Sequence, residues 1–173
     1  MAQKLVVTFI ADDRPGLVEK LANTVAAAGG NWLDSRMAHL AAKFAGVAEV
    51  EIDPAKSDAL EAALAAPDAE GSHLMVEPAP EDAAARGPQF DLELIGPDHP
   101  GIVRDLSHLM AQRGFSVEEV ETDIREAPHA GGTLFHAHAR LRGPGGYPDD
   151  ELLAALDDLA DRAMVDIEVE KVT

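Results

Sequence analysis

Two consecutive α+β modules, each a four-stranded antiparallel sheet with two helices on one face, are what this sequence predicts. Three observations carry the prediction. The segment Ile10-Ala11-Asp12-Asp13-Arg14-Pro15-Gly16-Leu17-Val18 returns 85 positions later as Ile95-Gly96-Pro97-Asp98-His99-Pro100-Gly101-Ile102-Val103. In the same register Leu21 matches Leu106, Ala26 matches Ala111 and Gly29 matches Gly114, so a whole turn-and-helix unit is repeated. Each copy also passes through the same succession of two-residue and helical hydrophobic periods, and a stretch rich in Pro, Ala and charge separates the two.

The elements follow in order. Leu5, Val7 and Phe9 alternate with Lys4, Val6, Thr8 and Ile10, and Phe90, Leu92 and Leu94 repeat the pattern, so each copy opens on a strand with one face packed inward. After the Pro-Gly turn, Leu17, Val18, Leu21, Ala22 and Val25 recur at helical spacing, as do Ile102, Val103, Leu106, Leu109 and Met110. Gly29 and Gly114 stand where each helix should stop, because glycine takes the left-handed conformation of a helix end at little cost. Two strands follow in each copy, over 31–40 and 44–53, then over 116–126 and 132–142.

Asp53-Pro54 and Pro148-Asp149 read as starts of second helices, a short one carrying Leu60 and Leu64 and a longer one carrying Leu152, Leu153, Leu156, Leu159 and Ala160. Closing strands are expected over 73–77 and around Val165, Ile167 and Val169. Each copy is therefore βαββαβ, and right-handed crossovers place both helices on one face, the ferredoxin-like arrangement. The expected boundaries are 1–78 for the first module, 79–88 for a linker and 89–173 for the second.

Composition narrows the function. The chain carries 32 Asp and Glu against 14 Lys and Arg, a net charge of −18, which opposes unaided binding to a phosphate backbone. Zero cysteines exclude disulfides, thiolate catalysis and zinc-thiolate sites. The N-terminus runs straight into a strand without a signal-peptide layout, and no apolar run is long enough to span a bilayer; a cytoplasmic protein is expected.

The βαββαβ order, the Asp-x-Pro-Gly-Leu/Ile-Val turn in both copies, and Gly29 with Asn31 a helix later resemble the ACT domain family. The likeness covers nearly the whole chain. With no attached catalytic or DNA-binding domain, it is similar to the glycine cleavage system transcriptional repressor group of stand-alone tandem ACT proteins. The resemblance implies a regulatory module that binds a small ligand, usually an amino acid, at an interface between two such domains. For the subgroup it implies control of transcription through a partner activator and not through direct DNA contact. The sequence departs from the pattern at Ser116, which stands where Asn31 stands in the first copy.

The residues that fit such a site are Asp13, Gly16, Leu17 and Asn31 in the first copy, and Asp98, Gly101, Ile102 and Ser116 in the second. The turn leads into a helix whose first N–H groups lack intrahelical partners and whose dipole favours an anion, so a ligand carboxylate has a place to dock. Gly16 lets the backbone approach, Asp13 accepts from an α-ammonium group, and Asn31 offers both donor and acceptor. A purely local reading competes: Asp13 and Asp98 cap their helices and the prolines stiffen the turns.

Other features carry less chemistry. His136 and His138 point the same way from one strand, with Arg140 and Arg142 continuing the stripe, opposite in sign to Glu49 and Glu51 in the first copy. Such stripes read as solvated or as partner-facing, in which case sheet faces of the modules or of two chains could meet through them; a metal reading, with His129 nearby in sequence, lacks a third ligand. Trp32 reads as packing against the core. Gly143-Pro144-Gly145-Gly146 lacks the Lys-Ser/Thr of a phosphate loop and reads as a hinge. No catalytic triad, metal or cofactor is expected.

The expectation is therefore a non-enzymatic regulator that senses a small amino acid, glycine being one candidate, and acts through a protein partner such as a transcriptional activator. A homodimer is compatible with it. The alternative is a detached amino-acid-binding regulatory subunit of a metabolic enzyme.

Overall fold

The computed structural model describes residues 2–65, 72–80, 87–126, 132–146 and 150–172. The chain divides into two compact units, 1–82 and 83–173, and each is an α+β module with the same topology. The expected linker falls largely on residues 81–86, outside the described residues.

In the first unit, β1 (Gln3–Asp12), α1 (Leu17–Ala27), β2 (Asn31–Leu40), β3 (Lys43–Ile52), α2 (Ser57–Ala65) and β4 (His73–Pro78) follow one another, with a short 3-10 turn at Pro54–Lys56 leading into α2. The sheet order is β2-β3-β1-β4, antiparallel throughout. Alternation in β1 buries Leu5, Val7, Phe9 and Ala11, and Ala48, Val50 and Ile52 in β3 face the same side. Onto that side pack Val25 from α1 and Leu60 and Leu64 from α2, so both helices cover one face and leave the other open. Trp32 is partly buried against this cluster. Asp53 caps the 3-10 turn, its carboxylate accepting from the Ala55 N–H at 3.0 Å.

The second unit repeats the plan with β5 (Gln89–Pro97), α3 (Ile102–Gln112), β6 (Ser116–Glu126), β7 (Thr133–Arg142), α4 (Asp150–Ala163) and β8 (Asp166–Lys171) in the order β6-β7-β5-β8. Phe90, Leu92, Leu94, Ala137, Ala139, Leu141, Leu152 and Leu156 form its core. Phe90 meets Phe115 edge to face, with ring centroids 5.4 Å apart. The expected start of α4 at Pro148-Asp149 lies outside the described residues; the helix is described from Asp150.

The repeat extends to detail. Both edge strands slip register at the same place, between Trp32 and Asp34 and between Val117 and Glu119. Both first helices stop on a glycine at positive φ, Gly29 at 80° and Gly114 at 76°, as the conformational argument requires.

Candidate functional site

The turn between β1 and α1 is built by backbone geometry. Gly16 is the N-cap of α1 at φ 91°, and Gly101 is the N-cap of α3 at φ 99°. Neither helix has a side-chain cap, so the reading in which Asp13 and Asp98 cap their helices is corrected: both aspartates stand three residues before the cap. The left-handed glycine turns the chain sharply into the helix, and this leaves the aspartates on the approach to the turn. Lys20 donates the first helical bond to the Gly16 carbonyl at 2.9 Å, so the N–H groups of Leu17, Val18 and Glu19 head the helix without an i−4 partner.

Leu17 and Ile102 are buried, Ile102 within its module's core. Their side chains therefore anchor the helix starts, and only their backbone N–H groups are available to a ligand. A Cβ at Gly16 would meet nothing within 4 Å, whereas one at Gly101 would lie 3.0 Å from Nη2 of Arg104. The Arg104 guanidinium is held there by Asp105, to which Nε donates at 2.7 Å, and this bond keeps the Asp105 carboxyl below the usual carboxylate range. The two turns are thus unlike: the first is open, and an arginine covers the second.

The tip of the β2–β3 hairpin joins the first turn. Ala41 and Ala42 both adopt positive φ, 49° and 62°, which makes the two-residue connection tight. The Asp13 N–H donates to the Ala42 carbonyl at 3.1 Å, and His39 Nε2 lies 3.6 Å from the Asp13 carboxylate. Lys43 is bonded to Asp12, and that bond is the main reason the Asp12 carboxyl is held below its ordinary value. His39, Ala42 and Lys43 were not legible as members of this site. Only the strand register, which sets Asp12 opposite Lys43, brings them there.

Asn31 does not join Asp13 and Gly16 within the module. It pairs with Glu51, which pairs with Lys4, at the far end of the sheet from Asp12. Lys4 and Asp12 are eight residues apart, roughly 27 Å of extended strand. Ser116 occupies the corresponding end of the second sheet, opposite Arg142, away from Asp98 and Gly101.

The histidine stripe is taken up by its own sheet. His136, whose side chain is 14% exposed, sits between Glu93 at 2.8 Å from Nε2 and Asp123 at 3.0 Å from Nδ1. Arg140 reaches Asp91 at 3.3 Å and Glu119 at 3.2 Å, and Arg142 donates through Nη2 to Glu118 at 3.1 Å. Bonds from Arg125 and then His136 hold Asp123 below the usual carboxylate range, and Arg142 does the same for Glu118. Among the described residues no group of three or more His, Cys, Asp or Glu is arranged to hold a metal, and His129 lies outside them.

Residues 3–76 match the ACT domain. That match spans the first module, and the second repeats its topology, so the chain has a tandem ACT-like fold. The chain is similar along its full length to a protein of unknown function from Galdieria sulphuraria, with 29% identity, complete coverage of both chains and a TM-score of 0.85. A candidate glycine cleavage system transcriptional repressor shares the fold at 20% identity and a TM-score of 0.70, over 100% of this chain and 99% of its own. No functionally curated protein matches the sequence. Among the described residues no helix is long and apolar enough to cross a membrane.

Proposed function

We propose that the protein is a non-catalytic regulator that binds a small amino acid, of the size of glycine, and controls transcription through a protein partner. The observation that carries this reading is the open first turn: the space beside Gly16, at the head of α1, is empty to 4 Å, and Asp13 precedes that glycine by three residues in the chain. A zwitterion matches that pair, its carboxylate on the helix N-terminus and its ammonium on Asp13. Leu17, buried beneath, keeps the helix start in place. Asn31 belongs to such a site only when a second module supplies it, because its own module holds it at the opposite end of the sheet. In the second copy Asp98, Gly101 and Ile102 make the weaker site, with Arg104 over the glycine, and Ser116, like Asn31, belongs to such a site only when it comes from another module and then offers serine in place of asparagine.

The net charge of −18 supports action through a protein and not through direct contact with DNA. The test is thermal stability with a panel of small amino acids. A ligand that binds only the folded chain raises the melting temperature with concentration. Stabilisation by glycine or a near relative, lost in Asp13→Ala, is expected; a flat response across the panel overturns the reading.

A further inference from the structure

The sheet faces left open by the helices differ in kind. In the second module the open face is the charged ladder described above. In the first, successive rows across β2, β3, β1 and β4 read Asp34-Glu49-Val6-Glu77, Arg36-Val47-Thr8-Met75 and Ala38-Ala45-Ile10-His73. The centre of this face is apolar, and Ile10, Val47 and Met75 stand 44%, 40% and 54% exposed. β1 explains it: Leu5-Val6-Val7-Thr8-Phe9-Ile10-Ala11 is uncharged on both sides and apolar except at Thr8, close to the pattern of a strand covered on both faces, whereas Phe90-Asp91-Leu92-Glu93-Leu94 alternates.

We propose that this face is the self-association surface of the protein and seats the same face of a second copy. Three arguments select a second copy. First, the rim cations already have partners in the chain, Lys4 on Glu49 at 2.9 Å, Arg36 on Asp34 at 2.8 Å and Lys43 on Asp12, so closing the face strands no positive charge. Second, the acidic row of the face is disposed for a two-fold. An axis lying in the interface across the strands sets the row of Asp34, Glu49 and Glu77 over the Ile10 and His73 row of the other copy and keeps the acidic rows apart. On a chain of net charge −18, an apolar centre is where another copy approaches with least repulsion. Third, the size fits: four strands of these lengths present about 550 Å². That is somewhat less than the roughly 800 Å² per partner of a standard interface, which points to a reversible dimer. Sheets stacked face to face, strands within about 30° of alignment, are a common packing.

The experiment is sedimentation velocity of the full chain over a range of concentrations, for the parent, Val47→Glu, Ile10→Glu and a control, Val120→Glu, on the edge strand β6. The parent and the control are expected to dimerise alike, and either face variant to move the dimerisation midpoint at least about tenfold higher, the effect of placing an unpaired charge from each copy in a small apolar contact. Circular dichroism and melting, little altered by substitutions at exposed positions, show that the face variants remain folded. A parent that is monomeric throughout, or a dimer insensitive to both face variants, overturns the proposal; so does a dimer lost in Val120→Glu alone, which assigns association to the sheet edge.

Discussion

Asn31 and Gly16 stand at opposite ends of one module: Asn31 pairs through Glu51 with Lys4 at the start of β1, whereas Gly16 follows Asp12 at its end. A ligand at the turn therefore takes its contacts from the helix N-terminus and Asp13, and asparagine chemistry enters only from another module. This orders the effects of substitution.

Asp13→Ala is expected to weaken glycine binding by about 1 to 3 kcal/mol, the usual worth of a charge-assisted bond. Isothermal titration of the full chain measures it. Asn31→Ser is expected to weaken binding more than Ser116→Ala does, and an affinity unchanged in both Asp13→Ala and Asn31→Ser removes the site from the first module.

Two substitutions at positive φ should act in opposite directions. Gly16→Ala places a Cβ on a left-handed residue and should cost about 1 to 2 kcal/mol even though the space around it is open. Met164, exposed and at φ 56° at the end of α4, already bears that cost, so Met164→Gly should raise stability by up to about 1 kcal/mol. Chemical denaturation of the two variants against the parent gives both signs in one experiment.

Gly96→Ala should be more damaging than Gly16→Ala or Gly145→Ala. Its Cβ would lie 2.4 Å from a Val165 methyl and 2.7 Å from the Val165 backbone, which cannot rotate away. A loss of about 1 to 3 kcal/mol or more follows from overpacking. Gly145→Ala, with nothing within 4 Å, is the matched control, and denaturation midpoints that coincide for the two would contradict the packing described.

Acid should destabilise the protein through carboxylates held below their ordinary range: Asp12 by Lys43, Asp34 by the Ser35 N–H and Arg36, Asp105 by Arg104, Glu118 by Arg142 and Asp123 by Arg125. A depressed folded-state pKa stabilises the fold above the unfolded value, near 4, and the contribution disappears as pH falls below it through the folded value. Melting temperatures are expected to hold above about pH 5 and to drop below about pH 4. In Asp123→Asn the drop should be smaller, because one of the protonating groups is gone.

At physiological salt the purified chain is expected to leave duplex DNA unshifted in a mobility assay, since it offers few cations to replace counterions. A salt-sensitive complex formed without a partner would contradict action through a protein.

The repeat at an offset of 85 and the two hydrophobic periods were enough to derive both modules, their strand and helix order and the glycines that end α1 and α3. Such features are local: periodicity records which face is buried, and a left-handed turn leaves its mark as glycine. The turn residues Asp13 and Gly16 were legible for the same reason. What joins them was not. His39, Ala42 and Lys43 reach the turn because β3 pairs with β1 in one register, and Ala41 and Ala42 take a conformation that alanine does not announce. Register likewise carried Asn31 away from the turn and set Glu93 and Asp123 on either side of His136, where the sequence shows only a cationic stripe. Strand pairing is a long-range choice among residues far apart in the chain, so the sequence by itself determined which side chains face outward, and only the tertiary structure decided which of them meet.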